Sequence, residues 1–236
     1  PRLDLSLQRY RLSCEIAATR ITLSALGRQM SEDQILSRLS FSSIDPLGSD
    51  GVWGDPDLGF VGRIAGSQAE QTGYGVYEAP LQDFLANIDY HSEILNESRY
   101  TELGMTPATH LSLLLEQIRQ DRQVVLWGDW CTDPQYEDGT VREVDMSMIR
   151  EYGVAARNTC STFSLNRQIL WMTPEGRSIS GLIGEHAFVL LGYIGDPMTP
   201  THIIVWDTDT GRHTYPITEW MRKWSALQYR SLIIWK

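Results

Sequence analysis

The chain has 236 residues, 42% hydrophobic and 21% charged, enough for one substantial core or two closely packed subdomains. Its formal charge of −10, with no Lys/Arg cluster, argues against a nucleic-acid partner, because phosphate binding needs a basic patch. No apolar run approaches the roughly 18 residues of a membrane span, and the five histidines lack metal-ligand spacing, so neither a transmembrane segment nor a metal or other cofactor is expected.

The first residue is Pro1 rather than methionine, which reads as a mature or trimmed form and leaves room for a signal peptide or membrane anchor upstream. Ser13 is a good helix N-cap, and the residues after it read as a helix that stops at Gly27. Cys14 then falls in the first helical turn, where the helix dipole and unpaired N–H groups favour a thiolate. Gln8 lies upstream, in the segment that must turn into the helix, and its amide could donate to an oxyanion forming beside Cys14. Taken by itself, Cys14 reads more readily as a buried structural cysteine before an ordinary core helix. The three cysteines permit a Cys131–Cys160 pair with Cys14 free, or three reduced thiols.

Ser31 and Gln34 fit a capping box before a short helix ending near Leu39. Residues 40 to 78 are rich in glycine and carry Trp53, Phe60, Tyr74 and Tyr77, which reads as a long ordered loop pinned to the body by aromatics. Asp50, Asp55 and Asp57 lack the twelve-residue EF-hand pattern. Pro80 suits the first position of a helix over Leu81 to about Ile88. Thr106-Pro107 repeats the device before a helix from Ala108 to about Gln120, whose Leu111, Leu114, Leu115 and Ile118 form a core stripe.

From Gln123 the pattern changes to strands: Val124 to Trp127, Val141 to Ile149, Gln168 to Met172, Ala187 to Tyr193, His202 to Trp206 and Leu227 to Trp235. Thr218 could cap a short helix carrying Trp220 and Trp224. Helices first and strands second predict an α+β architecture. The chain 1–236 is expected to be one catalytic domain, with a mainly helical lobe over 1–122 and a β-rich lobe over 123–236.

His186 begins one apolar run and Asp207 ends the next, with a turn-like Gly195-Asp196-Pro197-Met198-Thr199-Pro200 between them. An antiparallel hairpin centred there puts His186 and Asp207 nearly opposite, with Cβ atoms about 5 Å apart on a shared face. Asp207 can then fix the imidazole's orientation and tautomer, leaving its other nitrogen for Cys14. A surface His–Asp pair at a strand end is the plainer reading of those two residues. Glu15 and Glu185, beside the cysteine and the histidine, are either functional or solvated.

The order of Gln8 and Cys14 at a helix start, then His186 on one strand and Asp207 on the next, resembles that of papain-like cysteine peptidases. The closer similarity is to the bacterial peptidases related to double-glycine leader peptidases that process bacteriocins, which the chain resembles in Leu12-Ser13-Cys14-Glu15-Ile16-Ala17-Ala18, in Trp53-Gly54-Asp55-Pro56 with Gly59-Phe60-Val61-Gly62, in Gly73-Tyr74-Gly75-Val76-Tyr77, and in Gly184-Glu185-His186-Ala187 with Leu191-Gly192-Tyr193. The resemblance implies a papain-like fold, with the helical part carrying the cysteine packed on a C-terminal antiparallel sheet. It implies Cys14 as nucleophile, His186 as base and acid, Asp207 as its orienting partner, and Gln8 in the oxyanion hole with the Cys14 N–H. The stretch 131–183 departs from the pattern as an insertion, a hairpin or a substrate-binding flap. No transporter or nucleotide-binding motif accompanies it.

These expectations describe a bacterial thiol hydrolase, exported or membrane-anchored, acting on a peptide or protein substrate. The region 51–77 could shape its cleft, and Trp127 and Trp130 are either walls of that cleft or core aromatics. An acyltransferase using the same triad and a catalytically silent peptide-binding module are the alternatives.

Overall fold

A computed structural model describes residues 3–130 and 168–236. Its main sheet is antiparallel throughout, in the order β10-β9-β8-β5-β11-β4, from Gly211–Pro216, Thr199–Asp207, Glu185–Asp196, Gln123–Asp129, Ser231–Trp235 and His91–Leu95. Both faces of this sheet are covered. Val125, Trp127, Ala187, Val189, Leu232 and Ile234 pack with helix α1, Cys14–Ala25. Val124, Leu126, Phe188, Leu190 and Ile233 pack on the other face with Leu111, Leu114 and Leu115 of α5, Pro107–Arg119, and Trp220 and Trp224 of α6, Ile217–Ser225. Two covered faces explain why Val124 to Trp127 is continuously apolar instead of alternating. The architecture is α+β, with the cysteine helix on a C-terminal antiparallel sheet, as expected.

Helix α1 is buried from Cys14 to Ser24. Thr19, Thr22 and Ser24 donate to carbonyls three or four residues back in the helix, and buried Arg20 meets Asp4, Ser6 and Glu32. The helix ends in a Schellman motif. Gly27 takes φ +88°, its N–H meets the Ser24 carbonyl, and the Arg28 N–H meets that of Leu23. Ser13 holds the N-cap position but makes no capping bond. Its hydroxyl goes instead to Glu32 Oε2 at 2.6 Å and to the Tyr10 carbonyl.

The expected capping boxes at Ser31 and Thr106 both form, on α2, Glu32–Leu36, and on α5. Helix α3 spans Glu78–Ala86, two residues earlier than Pro80 suggested, so the proline occupies the third helical position, whose N–H needs no intrahelical partner. Pro216, not Thr218, caps α6. Helix α4, Glu97–Glu102, and strand β4 are additional elements.

The glycine-rich region contains three short strands, β1 (Phe41–Ser43), β2 (Phe60–Gly62) and β3 (Gly73–Gly75), in one small sheet. It is tied to the hairpin of β6, Gln168–Met172, and β7, Ser178–Leu182, which is the described part of the expected insertion. Trp53 N–H donates to the Met172 carbonyl, Trp171 Nε1 to the Gly54 carbonyl at 2.7 Å, and the two indoles meet edge-on at 5.4 Å. Asp55 and Asp57 both accept from Arg177 of this hairpin's turn. Trp127 is fully buried and donates to the Val76 carbonyl, so it is a core aromatic and not a cleft wall. Cys131, Cys160 and the expected strand over 141–149 lie outside the described residues.

Candidate active site

Cys14 is the first residue of α1, and its sulfur faces the backbone N–H of Ala187 on β8. His186, the neighbour of Ala187, directs Nε2 to Asp207 Oδ1 at 2.9 Å. Strand β8 thus sets the Cys14 sulfur against Ala187 and, one residue earlier, carries the histidine that bonds Asp207.

The hairpin register differs from the expected one. Phe188, not His186, lies opposite Asp207, because the turn is centred between Pro197 and Met198, about one residue later than the symmetric estimate. A shift of two keeps His186 on the same face as Phe188, so it reaches Asp207 diagonally. Oδ1 of Asp207 also accepts the N–H groups of Asp209 and Thr210. Burial would raise the Asp207 pKa, but the charge of His186 and these bonds hold it well below the usual carboxylate range. Burial pulls the His186 pKa down, yet Asp207 outweighs it and the imidazole ends above its ordinary value. Trp130 lies 5.9 Å from the His186 ring and Phe188 meets it edge-on at 4.9 Å, leaving Trp130 as the tryptophan at the site.

Gln8 joins the same cluster through Thr208. Its N–H donates to the Thr208 carbonyl at 2.6 Å, and its Oε1 accepts from Thr208 Oγ1 at 2.9 Å. Thr208 Oγ1 in turn lies 3.4 Å from His186 Nε2. The Gln8 Nε2 donates to the carbonyls of Tyr10 and Arg11 at 3.1 Å each, so its donors are occupied in this state.

The environment of the sulfur departs from the expected thiolate. Cys14 Sγ donates to Glu15 Oε2 at 3.2 Å rather than to His186. Burial, with the nearby charges of Glu15 and Glu185, pushes the thiol well above its ordinary value and outweighs the Ala187 N–H. Neither carboxylate is solvated: Glu15 is 0% and Glu185 3% exposed. Glu15 Oε1 accepts from Val76 N–H at 2.7 Å, and Glu185 Oε2 accepts from Gln68 Nε2 at 3.1 Å. Sequence reasoning left these two glutamates open. The available signal was Gly75, whose φ of +145° and missing side chain make room for both carboxylates.

Among the described residues, Cys14, Glu15 and Glu185 form a group whose ligand-type atoms all lie within 4.8 Å of one another. Both oxygens of Glu15 and one of Glu185 accept hydrogen bonds.

In comparison with known proteins, the family described as Peptidase_C39 like family matches residues 4–232. A crystal structure from Bacillus anthracis described as a candidate C39-like peptidase superposes with a TM-score of 0.66 at 19% identity, covering 100% of this chain and 94% of that one. At that identity the similarity establishes a shared fold. No curated protein matches the chain.

Proposed function

The chain belongs to the Peptidase_C39 like family and has a papain-like fold, and from that premise we propose that it cleaves peptide bonds with Cys14 as nucleophile. His186 is the base and acid, Asp207 orients it, and Gln8 stands beside the oxyanion. The observation that carries the reading is the meeting, at the start of a buried helix, of the Cys14 sulfur with the strand that presents the His186–Asp207 pair.

The chemistry follows from that placement. Asp207 occupies Nε2 of His186, which leaves Nδ1 to take the thiol proton as the sulfur attacks the substrate carbonyl carbon. The Cys14 N–H, in the first turn of α1, has no intrahelical carbonyl and can donate to the developing oxyanion. Gln8 contributes a second donor by releasing the Tyr10 or Arg11 carbonyl. The imidazolium then protonates the departing amine and the C–N bond breaks, leaving a thioester. Water gives a proton to His186 and its hydroxide to the acyl carbon, and the thiol is regenerated.

The test is cleavage of a peptide library followed by mass spectrometry. Cleavage that disappears in C14A and in H186A supports the proposal; cleavage retained in C14A refutes it. The thiol held on Glu15 favours a second reading, a peptide-binding module without turnover, which predicts library peptides bound but intact.

A further inference from the structure

Two acidic side chains lie buried against the sulfur, and neither has a role in the steps above. Glu15 accepts the thiol proton's hydrogen bond on one oxygen and the Val76 N–H on the other. Glu185 is held by Gln68, whose amide also donates to the Tyr74 and Glu185 carbonyls and whose oxygen accepts from Gly184 N–H. Oε1 of Glu185 is buried without a hydrogen-bond partner. Gly75 lies against both groups: a Cβ there would run into Glu15 Oε1 and lie 2.9 Å from Glu185 Oε2. Two buried carboxylates this close cannot both be ionised cheaply.

We propose that Glu15 and Glu185 hold one proton between them and act as a positioning pair that sets when the Cys14 thiol ionises. The inference rests on Cys14 being the nucleophile. With the shared proton in place, the pair carries one negative charge, and the thiol can pass its proton to His186 against that single charge. When the pair loses its proton, a second negative charge faces the sulfur and holds its S–H bond more firmly. Burial pushes Glu15 up to about 7 and Glu185 well above its ordinary range, so the two carboxyls give up their protons in separate steps and the pair holds one proton between them.

The groups that bear on the pair are Cys14 on α1, His186 on β8, Tyr74 on β3 and Tyr77 just after it, Glu78 on α3, and Arg230 just before β11. His186, held above its ordinary value by Asp207, also titrates beside the sulfur's strand, so the experiment must separate the two.

The readout is the rate of Cys14 alkylation by iodoacetamide between pH 5 and pH 10, followed on the full chain in EDTA by peptide mass spectrometry. In E185Q the remaining Glu15 carries one charge at every pH above its own titration. At pH 6, below that titration, the carboxyls are largely protonated in both proteins, and the wild type and E185Q react at similar rates. At pH 9 the wild type carries one charge more, and E185Q reacts faster by about tenfold, the equivalent of one pKa unit. A rate ratio that stays flat across the range, whatever its value, overturns the proposal, because a purely structural effect would scale all pH values alike.

Should E185Q fail to fold by circular dichroism, H186A with both glutamates intact decides the matter. Its rate should rise less than tenfold per pH unit where the pair titrates, with no imidazolium to account for the bend. A tenfold rise per unit up to the thiol's own titration overturns the proposal. Neither readout uses peptide turnover, so a failure of the peptidase reading is seen separately.

Discussion

Nε2 of His186 meets Oδ1 of Asp207 at 2.9 Å across two strands whose register sets Phe188, not His186, opposite the aspartate. The diagonal contact survives because side chains two apart share a face of the sheet. Replacing Asp207 with alanine should therefore lower kcat/KM by about 10²- to 10⁴-fold, since the imidazole loses its fixed tautomer. It should also lower the His186 pKa, because burial would no longer be opposed by the carboxylate. Histidine NMR titration measures that shift. The sign for stability follows. His186 is raised in the fold, so its share is present below the unfolded value near 6.5 and fades as pH rises through the folded one. Asp207 is lowered, so its share is present above its unfolded value near 3.8 and is lost in acid. The wild-type advantage over D207A should be largest near pH 5.

Gln8 has two possible contributions, and kinetics separates them. As an oxyanion donor, its loss in Q8A should lower kcat by about 10²- to 10³-fold with little change in KM. As a brace between Thr208 and the Tyr10–Arg11 turn, its loss should mainly lower the denaturation midpoint. The proposed role requires the kcat effect in steady-state peptide hydrolysis.

Arg230 and Glu78 form a buried ion pair at 2.5 Å, with Arg230 stacked over the Tyr77 ring at 3.7 Å. Burial raises the Glu78 pKa despite that partner. R230A leaves an almost fully buried carboxylate without its cation and should cost about 3–5 kcal/mol in urea unfolding. R230M/E78L, which removes both charges, should recover most of that loss.

His110 is fully buried, with Nε2 at 3.2 Å from Ser231 Oγ, and burial lowers its pKa to about 3. The unfolded chain protonates this histidine near pH 6.5 while the fold resists. Stability is therefore full above pH 6.5 and falls as pH drops toward 3, by about 3 kcal/mol at pH 4. Denaturant titrations at pH 7 and pH 4 should show that loss in the wild type and a smaller one in H110Q.

Local signals identified much of the fold. Gly27 marked the end of α1, Ser31 and Thr106 marked the starts of α2 and α5, and the apolar runs marked β5, β8 and β9. Strands β1, β2 and β3 escaped because three residues among glycines carry no alternation to read. Strand β4 escaped because three of its five residues, His91, Ser92 and Glu93, are polar and only Leu95 is buried. Ser13 occupies the N-cap position that its side chain suggested, but Glu32, nineteen residues away in the chain, takes its hydroxyl.

By itself the sequence determined that a cysteine opens a helix and that a histidine and an aspartate belong to one hairpin. Both follow from periodicity and turn residues within about twenty positions. Tertiary structure alone decided the state of the sulfur. Glu15 and Glu185 bear on Cys14 because Gly75 and Gln68, more than fifty residues from one and a hundred from the other, shape a buried pocket around them. Desolvation and Coulomb energy depend on separation and exposure in space, which position along the chain does not specify.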